Sequence, residues 1–131
     1  MIIKINTLDS SPIYEQLRDQ IVLGIANKQL MPGEALPSVR RLGADLGINF
    51  HTVNKAYTTL CDEGYIEMDR RKGALVAPTL DSSEEFKSRL SRKITLAAAE
   101  TICHGMSKRD FIALCEDLYK QAQGDEDNGG L

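Results

Sequence analysis

Apolar positions along this chain recur mostly at helical intervals. Ile13, Leu17, Ile21 and Ile25 stand four apart, on one face of a helix. Ser11 and Pro12 precede them. Serine is a favoured cap, and proline fits the first helical position, so a helix is predicted from there to about Lys28. Met31-Pro32-Gly33 marks its stop. Val39, Leu42 and Leu46 share a face of a second, shorter helix, with Ser38 as cap and Gly47 as break. A third helix starts at the cap Asn49. Its Val53, Ala56, Tyr57 and Leu60 fall at i, i+3, i+4 and i+7, and Gly64 closes it. His51, Thr52, Asn54, Lys55 and Thr58 lie off that apolar stripe.

After Gly64 the period changes to two. Tyr65-Ile66-Glu67-Met68 alternates, and Ala74-Leu75-Val76-Ala77 does so in part. Between them lies Asp69-Arg70-Arg71-Lys72-Gly73, so the pattern predicts a β-hairpin with a basic tip. Pro78 to Ser83 is breaker-rich and reads as a linker. Beyond it Phe86, Leu90, Ile94, Ala98 and Ile102 recur at four, behind a cap at Ser82 or Ser83 and the acids Glu84 and Glu85. After Gly105, Ser107 to Asp110 resembles a capping box for a last helix carrying Phe111, Ile112, Leu114, Cys115, Leu118 and Tyr119. These two helices hold too few apolar residues to stand alone. Their apolar faces need the first domain or a second copy of the chain. The tail from Gly124 is acidic and glycine-rich, the composition of a disordered segment. The start, Ile2 to Ile5, is a strand or an ordered arm.

Composition narrows the class. With 131 residues, 42% hydrophobic and 27% charged, the chain fits one domain, or one small domain plus an appendage. No apolar run approaches the ~20 residues that span a bilayer, and no signal peptide is evident, so a cytoplasmic protein is expected. The three cysteines, Cys61, Cys103 and Cys115, are an odd number without a C-x-x-C pair. They form neither a disulfide framework nor a structural zinc motif. A net charge of −3 argues against a protein that coats nucleic acid non-specifically, though it is silent about local patches.

Local patches are where the chemistry lies. Helix, tight glycine turn and helix, over Ser38–Leu46, Gly47-Ile48 and Asn49–Glu63, have helix-turn-helix spacing. A basic-tipped hairpin follows directly, which is the winged-helix plan. The second helix of such a motif enters the major groove with its N-terminal residues at base edges. Asn54 can pair with an adenine edge, His51 and Thr52 offer short polar contacts, and Lys55 can meet phosphate. The N-terminal end of the preceding helix offers free backbone N–H groups to phosphate, with the guanidinium groups of Arg40 and Arg41 beside them. Arg70, Arg71 and Lys72 concentrate charge at the wing tip, and Gly73 lets the backbone come close. His51 also suits a plain capping role. Phe50 reads as a packing residue, a staple or a thymine-methyl contact, with packing preferred.

These residues resemble the GntR family of bacterial transcription regulators. The resemblance rests on Leu36-Pro37-Ser38-Val39-Arg40-Arg41-Leu42, Gly47 to Tyr57, Glu63-Gly64-Tyr65-Ile66 and Arg71-Lys72-Gly73. Pro12 to Leu17 and Met31-Pro32-Gly33-Glu34 add the family's first helix and loop, so it covers roughly Pro12 to Pro78. The short two-helix C-terminal part is similar to the YtrA-type subfamily. The resemblance implies a homodimeric, operator-binding repressor, often of its own or a neighbouring transporter operon. It implies that Ser38, Arg40, Gly73 and the outward residues of the recognition helix lie at DNA. Phe50 and His51 stand where many members have arginine and asparagine, and Asn54 is often arginine in larger members. Base preference is therefore not carried across. Arg41 replaces a common glutamate, which removes a capping box and adds positive charge.

The expected architecture is mainly α with a small β-wing. Residues 1–78 form a winged helix-turn-helix domain, 79–123 a two-helix dimerisation appendage and 124–131 an acidic tail. The sequence shows no phosphate loop, no Ser/His/Asp set and no paired catalytic carboxylates, so neither an enzyme nor a cofactor or resident metal is expected. The alternative is a thiol- or metal-responsive regulator that uses Cys103, His104 and Cys115. Little ligand volume is expected in the C-terminal part, and no effector can be read from the sequence.

Overall fold

In the computed structural model, which describes residues 3–78 and 80–124, α1 spans Ile13–Ala26. Pro12 is its N-cap, one residue later than the cap expected at Ser11. The Ser11 N–H instead donates to Asp9 Oδ1 at 2.8 Å. The helix ends before Lys28 because Asn27 leaves helical geometry and Lys28 takes a left-handed φ of 66°. Lys28 thus occupies the conformation usually given to a C′ glycine. The Leu30 N–H then reaches back to the Gly24 carbonyl at 2.9 Å and closes the end.

Helices α2 (Val39–Leu46) and α3 (Phe50–Asp62) follow the predicted caps closely. Ser38 Oγ accepts the Arg41 N–H at 3.1 Å, and Asn49 Oδ1 accepts the His51 N–H at 2.8 Å. Between the helices Gly47 adopts φ 69°, and the Ile48 N–H donates to the Gly43 carbonyl at 2.9 Å. Gly43 is buried at the crossing. A Cβ there would stand 3.0 Å from the Ile48 carbonyl oxygen and 3.2 Å from Phe50 Cα, both backbone atoms. The missing side chain lets α2 abut the first residue of α3.

Strands β1 (Ile66–Asp69) and β2 (Gly73–Val76) pair antiparallel, with Ile66 opposite Val76 and Asp69 opposite Gly73. The sheet also holds a feature that the alternation did not signal. Ala35, in the segment before α2, bridges to Leu75. The Leu36 N–H donates to the Ala74 carbonyl at 2.8 Å, and the Val76 N–H to the Glu34 carbonyl at 2.9 Å. From Ile3 onward the segment before α1 is an arm, since Ile3 packs on the core while the Lys4 N–H donates to Gln20 Oε1 at 2.8 Å.

One aliphatic core joins these elements. Leu17 and Ile21 of α1, Leu42 of α2, Val53, Ala56, Tyr57 and Leu60 of α3, and Ile66, Ala74 and Val76 of the wing are all buried. Each large side chain so buried contributes about 1.5–3 kcal/mol relative to exposure. Arg18 ties α1 to the end of α3. Its Nε donates to Glu63 Oε1 at 2.9 Å, and its guanidinium lies over the Tyr65 ring. Burial works against the Arg18 charge, but the Glu63 and Asp19 carboxylates outweigh it and raise the pKa.

The chain divides into two compact units, one up to Leu80 and one from Asp81. The second unit comprises α4 (Glu84–Cys103), capped by Ser83, and α5 (Lys108–Gln123), capped by Ser107. Neither helix contains a buried residue. Phe86, Leu90 and Ile94 are 36%, 40% and 51% exposed, so the predicted apolar stripe exists and lies uncovered. The acidic tail falls mainly in residues 125–131, outside the described residues.

Candidate nucleic-acid interface

The start of α3 is where the polar residues off the apolar stripe gather. His51, Asn54 and Lys55 are exposed and Thr52 is half-buried, while Val53, Ala56 and Tyr57 anchor the opposite face. Tyr57 fixes the helix further. Its hydroxyl donates to the Pro37 carbonyl at 2.7 Å, and burial pushes its pKa up to about 12. The same side chain therefore joins α3 to the residue before Ser38. Ser38 Oγ is occupied as an acceptor by the Arg41 N–H, which leaves the hydroxyl proton free to donate.

Arg40 and Arg41 are both exposed but differ in their surroundings. Arg41 Nε lies 3.8 Å from Asp45 Oδ2, a loose surface pair. The Arg40 guanidinium lies 4.2 Å from the centroid of the Phe50 ring, and that ring lies 4.2 Å from the His51 ring at 34°. Lys55 Nζ similarly lies 4.1 Å from the Tyr14 ring centroid, which joins α3 to the first turn of α1. Sequence reasoning left Phe50 as a packing residue and gave Tyr14 no role. The available signal was an aromatic residue at the start of each helix.

At the wing tip Arg70, Arg71 and Lys72 are all exposed. Asp69 shapes their turn. Its Oδ1 accepts the N–H groups of Arg71 at 2.8 Å and Lys72 at 2.9 Å, and these bonds hold its carboxyl below the usual range. Gly73 has φ 78° and open space where a Cβ would stand. Six exposed cations thus sit on the helix-turn-helix and wing, alongside two exposed amides, the cap Asn49 and Asn54. Such a surface can neutralise phosphates and read a base edge.

Comparison with known proteins agrees with this geometry. The sequence profile described as "Bacterial regulatory proteins, gntR family" matches residues 10–76. The chain belongs to the GntR family. Within it, the chain is 40% identical over 75 residues to the HTH-type transcriptional repressor YtrA of Bacillus subtilis. That match covers 57% of this chain and 58% of YtrA, so the chain spans rather more than half of that relative. The structure of YtrA from Sulfolobus acidocaldarius, a GntR-family transcription factor, matches at 40% identity with a TM-score of 0.66. It covers 76% of this chain and 99% of the other. A transcriptional antiterminator from Listeria monocytogenes EGD-e matches at 26% identity with a TM-score of 0.90, over 99% of this chain and 98% of that one. The chain is a YtrA-like GntR protein: a DNA-binding transcription regulator with a winged helix-turn-helix, and not an enzyme.

The remaining candidates are the cysteines, of which Cys103 and Cys115 belong to the second unit. Cys103 and Cys115 are exposed, and Cys61 is half-buried with its thiol pushed up by burial and by Asp62. Among the described residues no three His, Cys, Asp or Glu side chains gather as a metal site, and no helix is long and apolar enough to cross a membrane. A largely apolar groove of about 410 Å³ runs beside Leu30, Met31, Tyr65 and Pro78, within the winged unit.

Proposed function

We propose that this GntR-family regulator is a cytoplasmic homodimeric repressor. It binds a two-fold related operator and controls its own or a neighbouring transporter operon. Residues 1–78 bind DNA, and residues 79–123 pair two copies. The observation that carries the reading is the gathering of exposed Arg40, His51, Asn54 and Lys55 around the start of α3, with Arg70–Lys72 on the wing of the same unit. Arg40, Arg41, Lys55 and the wing cations meet phosphates, with Ser38 and Gly73 beside them. Asn54, His51 and Thr52 face base edges. The uncovered apolar stripe of α4 supports a second copy as partner. Two recognition helices then stand about one DNA turn apart, roughly 34 Å, and occupation of promoter DNA blocks transcription. The name of the Bacillus YtrA, a repressor, agrees.

Genomic footprinting tests the whole reading, because the bound sites name operator and target genes together. On the operator so found, Arg40→Ala is expected to weaken binding to all sequences and to lower the salt slope by about one unit. Asn54→Ala is expected to relax base preference in a selection from random sites. Scattered occupancy without a two-fold related motif would reject the operator reading.

A further inference from the structure

We infer that Phe50 and Tyr14 are positioning residues for DNA recognition, each holding one cation of the interface in place by its ring face. The inference rests on the proposed roles of Arg40 and Lys55 as DNA contacts and adds what fixes them.

Arg40 and Lys55 belong to different helices yet share one arrangement. Each charged group lies close to 4 Å from an aromatic centroid, at 4.2 Å and 4.1 Å. Cations within about 6 Å of a ring face are attracted by its quadrupole. Among the described residues neither cation has a carboxylate within ion-pair distance, in contrast to Arg41 with Asp45 and Arg18 with Glu63. A carboxylate partner would neutralise the charge that phosphate must meet. A ring restrains the side chain and leaves the charge whole. For Arg40 it also leaves the in-plane N–H donors at the guanidinium edge unoccupied, the edge that grips phosphate or guanine in pairs.

The Phe50 platform is itself fixed from below. Phe50 is the first residue of α3, behind the Asn49 cap, and its backbone abuts Gly43 where an added Cβ would fall 3.2 Å from Phe50 Cα. Arg40 and Gly43 are three apart on α2, so the helix that carries the guanidinium also carries the close contact beneath the ring. Tyr14, in the first turn of α1, plays the matching part for Lys55 one turn further along α3. Restraint before binding lowers the ordering cost of association.

The test is a pair of double-mutant cycles on the full chain, using operator duplex titrated by fluorescence anisotropy across a salt series. Phe50→Leu and Tyr14→Leu keep apolar bulk and remove the ring. Each is expected to weaken operator binding about two- to fivefold per half-site with the salt slope unchanged, because the cation still reaches its phosphate. Phe50→Tyr and Tyr14→Phe, which keep a ring, restore wild-type affinity. In the Arg40→Ala background Phe50→Leu costs nothing further, and likewise Tyr14→Leu in Lys55→Ala. Equal losses with and without the cation, or none in either, overturn the inference and leave the DNA roles of Arg40 and Lys55 standing. If Arg40→Ala and Lys55→Ala themselves leave affinity and salt slope unchanged, those DNA roles fall, and the platforms with them. Should Phe50→Leu lower the melting temperature, the Tyr14 cycle decides the matter alone.

Discussion

The two units solve the problem of apolar surface in opposite ways. Up to Leu80, helices, wing and the segment before α2 close on one aliphatic core, with Leu17, Ile21, Val53 and Leu60 wholly buried. From Asp81 onward no helical residue is buried, although the apolar stripe of α4 is as regular as that of α1. Regular patterning therefore reports that a face wants cover and says nothing about what provides it. In the first unit the cover comes from the same chain. In the second, on the reading above, it comes from another copy.

Charging that stripe is the strongest way to break the contrast. Leu90→Glu with Ile94→Glu is expected to give monomers in sedimentation and to weaken operator binding by about 10²–10⁴-fold, the usual advantage of linked sites. The melting of the winged unit should stay where it was. Variants that still sediment as tight dimers would show that the winged unit pairs by itself.

A smaller effect sharpens the role of the closed core. Tyr57 keeps its proton to about pH 12 when folded, whereas an unfolded tyrosine loses it near 10. Its contribution is present in full below pH 10 and disappears between pH 10 and 12, by about 2–3 kcal/mol at the end. Tyr57→Phe cannot ionise, so denaturant titrations should show that alkaline loss reduced. At pH 7 the same variant should cost about 1–2 kcal/mol, because the Pro37 carbonyl loses its donor. Equal alkaline slopes for both proteins would contradict the assignment.

The smallest effect lies on the surface. Asp45→Asn removes the loose partner of Arg41 and should change unfolding free energy by less than about 0.5 kcal/mol. A loss above 1 kcal/mol would mean that Arg41 is held by the fold instead of standing ready for phosphate.

Much of this was readable from local chemistry. Ser38, Asn49, Ser83 and Ser107 all cap helices as their residue types suggest, and the hairpin falls within one residue of its predicted strands. Caps and turns are decided by neighbours within four residues, which a sequence displays. The end of α1 escaped because Lys28 takes a left-handed conformation without being glycine, inside a turn closed by the bond from Leu30 to Gly24, six residues back. The bridge from Ala35 to Leu75 escaped because its partners lie far apart in the chain. At the candidate interface the exposed polar residues were legible, and so was the side of α3 that carries them. The ring partners were not, since Lys55 meets Tyr14 only once α1 and α3 have packed together.

That bridge has a mechanical consequence. Strand β2 is bonded to Gly33, Glu34 and Leu36, and Leu36 stands two residues ahead of the Ser38 cap. The wing is therefore a lever whose root is welded to the entrance of the helix-turn-helix. If Arg70–Lys72 meet a DNA backbone, as proposed above, the force would pass along β2 into the start of α2. On that reading, phosphates under the wing and phosphates under α2 would be gauged by one stiff part, so a duplex of altered groove width would misfit both contacts together.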